Sequence, residues 1–306
     1  MALLPEVEFI SVDKRRALAE FSRLRGELRG RRFDVLLHMQ VSLRASLLST
    51  LVQAPIKIGF DRARARELQW LFTNRRIAAR RCEHVLDSFW GFTEALGIAD
   101  RRLAWNLPLP AAATEYAARI IPDAQPTLLI SPCSSHVLRN WRAEHYAQVA
   151  DHAVDRWGMR VVLCGGPSDI ERDMGEAISA HAAHPLVNQI GCDTLPQMLA
   201  LLAAAAVLLT PDSGPAHMAA MVDTPVIGLY ASTNPARSGP YLSRQWCVDR
   251  FAQAARAFMG REPDALPWWT KIEKPGVMDL IRPVEVIEVL DRFMQSASGV
   301  RRARSS

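Results

Sequence analysis

Short apolar runs alternate with helix-like stretches through the second part of the chain. Five runs have the length and apolar character of buried strands: Leu128–Ser131, Arg160–Cys164, Leu186–Asn188, Val207–Thr210 and Val226–Tyr230. The segments between and after them predict helices at about 143–157, 169–182, 195–204 and 214–222. This alternation indicates a parallel sheet with helices on both faces, in which ligands bind beyond the carboxyl ends of the strands.

A weaker alternation runs through the first hundred residues. It predicts strands at Glu6–Val12, Phe33–Met39 and Ile56–Phe60, and helices at Lys14–Arg32, Ser42–Val52 and Glu83–Leu96, with an irregular basic stretch at Arg62–Arg81. The proline-bounded segment Leu107–Gln125 encloses an alanine-rich helix and is expected to connect two domains. A final helix is predicted at Pro283–Met294, before a frayed basic tail at Val300–Ser306. We therefore expect two α/β domains, at 1–110 and 111–306.

Composition narrows the class of protein but does not select a function. Of the 306 residues, 49% are hydrophobic and 23% are charged, which favours a packed core over disorder. No apolar run is long enough to span a bilayer, and Met1–Ile10 does not resemble a signal peptide, so we expect a cytoplasmic protein. The five cysteines are scattered without metal-ligand spacing, which predicts reduced thiols. The net charge of +5 comes almost entirely from arginine and suits an anionic partner, although a solvated arginine-rich surface explains it equally well.

The stretch from Leu209 to Tyr230 carries the strongest local signal. A buried strand ends at the small-residue turn Asp212–Gly214, and Pro215 occupies the position of a first helical residue. A helix that begins at the end of a strand presents free N–H groups, which bind anions and above all phosphate. The competing interpretation is an ordinary capped turn.

Two other loops follow predicted strands in the same way. Ser131–Ser135, with Arg139 shortly after, offers hydroxyl groups and a positive charge to phosphate oxygens. Cys164–Asp169, with Glu171 beyond it, offers glycines that let the backbone approach a ligand and a carboxylate that can accept from ribose hydroxyls. Three such loops in one domain predict a site for a nucleoside diphosphate.

Together these motifs resemble glycosyltransferase family 9, whose best-known members are ADP-heptose:lipopolysaccharide heptosyltransferases. The residues that carry the resemblance are Asp212–His217, Thr224–Val226, Tyr230–Pro235, Gly165–Pro167, Arg32–Val35, Gln40, Arg44, Ile58–Phe60 and Asn74–Arg76. The resemblance extends from about Glu6 to Phe293. It implies a GT-B fold, in which two Rossmann-like domains with parallel sheets face a cleft and the second domain holds the donor, with an incomplete N-terminal domain here.

The resemblance also implies which side chains bind the donor. A hydroxyl pair and an arginine are expected at the diphosphate, the turn after Thr210 at the pyrophosphate and sugar, and Asp193–Leu195 beside the adenine. The ribose carboxylate is either Asp169 or Glu171. The expected donor-binding residues are Ser134, Ser135, Arg139, Gly165, Gly166, Asp169, Glu171, Asp193, Thr194, Asp212, Ser213, Gly214 and His217.

One departure from the family pattern bears on catalysis. Family members begin with a strand and a Gly-Asp-Val turn whose aspartate is taken to be the general base, and neither precedes the matching region here. The chain therefore either continues upstream of Met1 or is a truncated relative, and we name no catalytic base.

The function implied by the resemblance is inverting transfer of heptose from ADP-heptose to the lipopolysaccharide inner core, on a Kdo-lipid acceptor. It implies no cofactor, no metal ion and no nucleic-acid partner, and peripheral contact with the cytoplasmic face of the inner membrane. The alternative is a truncated, non-catalytic protein that only binds a nucleotide sugar.

Overall fold

The structure, a computed structural model, describes residues 6–13, 16–105 and 107–304, without the side chains of residues 17, 18 and 297–304. The chain divides into two compact units, with the boundary between Leu103 and Ala104. In the described part of the chain, no helix has both the length and the apolar character needed to cross a membrane.

The described residues of the first unit form a small three-stranded parallel sheet and three α-helices. In chain order its elements are α1 (Ala17–Glu27), β1 (Val35–Leu37), α2 (Leu43–Ser49), β2 (Ile56–Gly59), β3 (Arg75–Arg76) and α3 (Val85–Glu94). The strands pair in the order β1-β2-β3. Helix α2 begins where the Ser42 hydroxyl accepts from the Ala45 N–H, as an N-cap does. Phe60 and Phe92 pack edge to face at 5.2 Å in the core of this unit.

The second unit contains a larger parallel sheet. Its described strands are β4 (Thr127–Ile130), β5 (Arg160–Leu163), β6 (Val187–Asn188), β7 (Val207–Pro211), β8 (Val226–Tyr230) and β9 (Val248–Asp249), in the order β6-β5-β4-β7-β8-β9. Its described α-helices are α4 (Ala111–Ile120), α5 (Ala143–Trp157), α6 (Asp169–His181), α7 (Leu195–Ala204), α8 (Gly214–Ala220), α9 (Pro235–Ser238), α10 (Phe251–Met259) and α11 (Pro283–Arg304).

The central strands of this sheet are buried on both faces. Along β4, Leu128 and Ile130 join the hydrophobic cluster that includes residues of α5, α10 and α11, whereas Leu129 joins the cluster of α4, α7 and α8. The same alternation places Leu209 and Leu208 of β7 on opposite faces. Both faces therefore need apolar side chains, which explains why these strands are continuous apolar runs in the sequence.

The predicted elements of the second unit are largely confirmed. All five predicted strands and the four helices between and after them are present, with ends within two residues of prediction. Helix α11 begins at Pro283 as predicted, but its backbone is helical to Arg304, where a frayed tail was expected. The helix of the predicted connection is α4, and it packs within the second unit, where Ala113 and Tyr116 are buried. Its buried face contacts α7.

Several predictions for the first unit are wrong. Residues 6–12 form no strand, and Val7 and Phe9 are 47% and 57% exposed there. Helix α1 is shorter than Lys14–Arg32, and Lys14 and Arg15 lie outside the described residues. The stretch Arg62–Arg81 contains β3 and a single 3-10 turn at Gln69–Leu71 instead of being irregular throughout. The strand β3 could not be predicted, because two residues are too few to set up a periodic pattern.

Candidate functional site

Loops of the second unit surround a cavity of about 630 Å³. They follow β4, β5 and β7 or precede α7, so the cavity lies beyond the carboxyl ends of neighbouring parallel strands, where ligands of such sheets bind. Of the thirteen residues predicted to bind the donor, nine line this cavity: Ser134, Ser135, Gly165, Gly166, Glu171, Asp193, Thr194, Ser213 and Gly214. The structure therefore brings together residues from all three predicted loops.

The Glu171 carboxylate is held at the glycine loop. Its Oε1 accepts from the Gly166 N–H at 2.9 Å, and its Oε2 accepts from the Ser168 hydroxyl at 2.7 Å. A Cβ atom on Gly166 would lie 2.7 Å from Oε2, so a side chain at this position would displace the carboxylate from the loop. Of the two carboxylates considered for the ribose, Glu171 lines the cavity, whereas Asp169 is exposed on the first turn of α6 and does not.

Asp193 contributes an unusual carboxylate to the wall. Its Oδ2 atom is buried and has no hydrogen-bond partner among residues 6–13, 16–105 and 107–304. Burial raises the pKa of Asp193 to about 6, and the negative charge of Glu171 contributes to this rise. An ionised carboxylate in this position is a ready acceptor for a donor group of a ligand.

The loop after β4 is fixed by three hydrogen bonds. The Ser134 N–H donates to Asn140 Oδ1 at 2.8 Å, and the Tyr146 hydroxyl donates to the Pro132 carbonyl at 3.1 Å. The fully buried Trp141 donates through Nε1 to the Ile281 carbonyl at 3.0 Å. These bonds preorganise the hydroxyl pair Ser134 and Ser135 at the cavity.

Besides Asp169, three other predicted residues lie outside the cavity lining. Arg139 is buried and donates through Nε to Glu273 Oε1 at 2.9 Å. Asp212 accepts from the Ser238 hydroxyl at 3.4 Å, and His217 is exposed on α8. Arg139 and Asp212 both interact electrostatically with Lys271, so they belong to a charged cluster beside the cavity.

Several residues of the site escaped prediction from sequence. Met198 and Met218 form part of the apolar wall beside Leu195, and neither methionine belongs to a motif that the sequence offered. His136 also lines the cavity, and its Nε2 lies 3.6 Å from Glu273 Oε2. Glu273 follows no predicted strand and belongs to no motif, so no signal in the sequence pointed to it.

Cys133 lines the cavity too, but burial raises the pKa of its thiol to about 12, so it is not a nucleophile at neutral pH.

Comparison with known proteins gives one family. Residues 21–263 match the model of glycosyltransferase family 9 (heptosyltransferase). The lipopolysaccharide core heptosyltransferase OpsX of Haemophilus influenzae is 37% identical over 287 residues, which cover 94% of this chain and 82% of that protein. Lipopolysaccharide heptosyltransferase 1 of Escherichia coli K12 is 25% identical over 232 residues, or 74% of this chain and 70% of that protein.

Two solved structures of glycosyltransferases have a fold similar to that of this chain. A family 9 glycosyl transferase from Veillonella parvula superposes with a TM-score of 0.72 at 20% identity, over 94% of this chain and 81% of that one. The E. coli ADP-heptose lps heptosyltransferase II superposes with a TM-score of 0.67 at 21% identity, over 92% and 82% of the two chains. At these identities the likeness shows the fold alone, and it confirms the expected GT-B fold.

Proposed function

Because this chain belongs to glycosyltransferase family 9, we propose that it transfers heptose from ADP-heptose to the lipopolysaccharide inner core, on a Kdo-lipid acceptor and with inversion. One observation carries the proposal: 94% of the chain aligns at 37% identity with a lipopolysaccharide core heptosyltransferase. The cavity of the second unit supports it, because its volume and mixed lining suit a nucleotide.

The nucleoside half of the donor is assigned to the cavity. Leu195 and Met198 supply an apolar surface for the adenine ring, and the Asp193 carboxylate is placed to accept from its amino group. Glu171 is proposed to accept from the ribose hydroxyls, because its carboxylate is fixed at the cavity wall by Gly166 and Ser168. Both carboxylates select for donor groups on the ligand.

The diphosphate is assigned to the side of the cavity that borders the charged cluster. Ser134, Ser135 and Ser213 offer hydroxyl groups there, and Arg139 is the predicted cation. During transfer, the bond between the sugar and the diphosphate breaks and negative charge develops on the departing ADP. A guanidinium fixed beside that charge stabilises the transition state more than the ground state.

The acceptor determines where the reaction takes place. A Kdo-lipid carries its sugar at a membrane surface, whereas a nucleotide sugar is supplied from the aqueous phase. We therefore propose that the protein works in the cytoplasm, in peripheral contact with the inner membrane, and without a nucleic-acid partner or a resident cofactor.

The proposal is tested by incubating the purified chain with ADP-heptose and a Kdo-lipid acceptor and following the acceptor by mass spectrometry. Gain of one heptosyl residue, dependent on ADP-heptose and absent with UDP- or GDP-sugars, is the expected result. Binding of ADP-heptose without any transfer would support a non-catalytic binder instead. Absence of both would refute the proposed donor.

The assignment of Asp212 to the donor site makes a separate prediction. Asp212→Ala is expected to weaken ADP-heptose binding about tenfold or more, measured by isothermal titration calorimetry, since it removes a charged hydrogen-bonding group. The exposed Asp264→Ala in the second unit is the matched control and should bind like the wild type. Equal affinity of Asp212→Ala and the wild type would remove Asp212 from the site.

A further inference from the structure

A short irregular segment, Lys271–Glu273, lies at the carboxyl edge of the large sheet. Its central residue, Ile272, is only 1% exposed, and its N–H donates to the Ser232 carbonyl at 2.7 Å, just beyond the end of β8. Lys271 is exposed and Glu273 half-buried on either side of this anchor. The anchor therefore fixes two charged side chains beside the loops that follow the strands.

Glu273 holds the Arg139 guanidinium through one oxygen. Its Oε1 accepts from Arg139 Nε at 2.9 Å and from Nη2 at 2.5 Å, while Oε2 faces the ring of His136 in the cavity wall. Arg139 Nη1 makes no hydrogen bond within the described part of the chain. A guanidinium oriented by a carboxylate on one edge keeps its other donors available to a second anion.

Lys271 adds a second positive charge to this place. It interacts electrostatically with Arg139, Arg237, Asp212 and Glu273, and it forms no ion pair with any residue that the structure describes. Partial desolvation of its ammonium group lowers the pKa of Lys271, and the positive charge of Arg139 lowers it further. Among the described groups named here, the positive charges of Lys271, Arg139 and Arg237 outnumber the two carboxylates, which favours an anionic ligand.

Ser232, whose carbonyl accepts from the Ile272 N–H, supplies an independent observation. Ser232 is 2% exposed, and its Oγ atom has no hydrogen-bond partner in the described ranges. A buried hydroxyl without a partner is unfavourable, and a ligand group that reached it would satisfy it. Ser232 is the residue whose carbonyl binds Ile272, so this hydroxyl belongs to the same place as the two charges.

We infer that Lys271–Glu273 forms the diphosphate end of the donor site, where Lys271 contacts the anion and Glu273 is a positioning residue that orients Arg139. The inference rests on the proposed function for the identity of the donor. It adds to the site a segment that is distant along the chain from the three strand-end loops, and it gives the Arg139–Glu273 ion pair a role in binding.

The role of Lys271 is tested with three probes: ADP, inorganic pyrophosphate and adenosine. Lys271→Gln is expected to weaken binding of ADP and of pyrophosphate about tenfold, the loss of one charge-assisted contact, and to leave adenosine unchanged. Lys274→Gln is the matched control, because Lys274 lies three residues on and donates to the Phe258 carbonyl. Equal pyrophosphate affinity in wild type and Lys271→Gln would overturn the role of Lys271.

Substitutions of Glu273 should change ADP affinity in opposite directions, depending on whether the carboxylate orients Arg139 or only repels the anion. If Glu273 orients Arg139, Glu273→Ala weakens ADP binding about tenfold and Glu273→Gln restores part of it, since the amide oxygen still accepts. If Glu273 only repels the anion, both variants tighten binding, which would overturn the inference. Neither Glu273 variant should add to the effect of Arg139→Gln, because the carboxylate acts through that side chain.

A second ion pair provides the structural control. Arg142 and Asp279 are joined by two hydrogen bonds of 2.6 Å, and they too connect the region after β4 with the region before α11. Because Asp279 does not orient Arg139, Asp279→Asn should leave ADP affinity unchanged. A loss of affinity equal to that of Glu273→Ala would overturn the positioning role of Glu273, since both ion pairs would then act only by holding these regions together. Binding of pyrophosphate also separates the proposed donor from the proposed role of Lys271–Glu273. If the wild type bound UDP as well as ADP, but Lys271→Gln still lost affinity for pyrophosphate, the proposed donor would be refuted and the role of the segment supported.

Discussion

Asp193→Asn is expected to stabilise the second unit, and to do so far more at neutral pH than in acid. Asp193 Oδ2 is buried without a partner among the described residues, and burial raises the pKa of the carboxyl group from 3.8 to about 6. At neutral pH the folded protein must therefore keep a poorly solvated negative charge that the unfolded chain exposes to water. Asparagine has nearly the same shape and no charge.

The size of the effect follows from the two pKa values. The difference between 3.8 and about 6 corresponds to at most ~3 kcal/mol of unfolding free energy when the group is ionised in both states. Asp193 is only partly buried, and solvent screening reduces this to ~1.5 kcal/mol. Because the pKa is raised on folding, the folded state binds the proton first, and the penalty declines as the pH falls from about 6 towards 3.8.

Urea unfolding of the whole chain, followed by tryptophan fluorescence, measures the difference at two pH values. The variant should be more stable than the wild type by ~1.5 kcal/mol at about pH 7.5 and by roughly half as much at about pH 5. Asp173→Asn, on the exposed face of α6, is the control and should change little at either pH. An equal gain at both pH values, or none at pH 7.5, would refute the reasoning.

Two further predictions concern the sheet and the loop after β4. Gly228→Ala in β8 should cost ~1–3 kcal/mol of unfolding free energy in urea, since a Cβ atom there would lie 2.5 Å from the buried ring of Tyr230. Gly214→Ala, which has open space around it, is the control and should cost far less. Similar losses for both variants would contradict the tight packing at Gly228. Asn140→Ala removes the acceptor of the Ser134 N–H and should cost ~1 kcal/mol and weaken ADP binding in calorimetry, and unchanged affinity would show that this bond does not shape the site.

The sequence allowed the second unit to be predicted well because its strands are buried on both faces. A strand such as Thr127–Ile130 is buried along its whole length, so it stands out in the sequence as an uninterrupted, mostly apolar run. The first unit was predicted less well, because β1 has three half-buried residues and β3 has two exposed arginines. Such short strands are defined by their backbone pairing with a neighbour, which no local pattern reveals.

The same reasoning explains which parts of the candidate site were predictable. Parallel strands end at one edge of the sheet, so the loops at Ser134, Gly165 and Ser213 could be expected to meet, and all three line the cavity. The partner of Arg139 could not be expected, because Glu273 lies on an irregular segment held only by a tertiary hydrogen bond of Ile272. The family motifs extend over the strand-end loops and do not include this segment.

The contact between Arg139 and Glu273 spans 134 positions of the chain and so has a consequence for folding. Contacts of such high sequence separation require closure of long loops. A chain in which that loop has not closed lacks Glu273 beside Arg139, so a diphosphate gains its full binding energy only from the completed unit. By mass action, a donor bound there raises the folded fraction. The supply of donor in the cell would then set how much of this protein persists, as well as how fast it works.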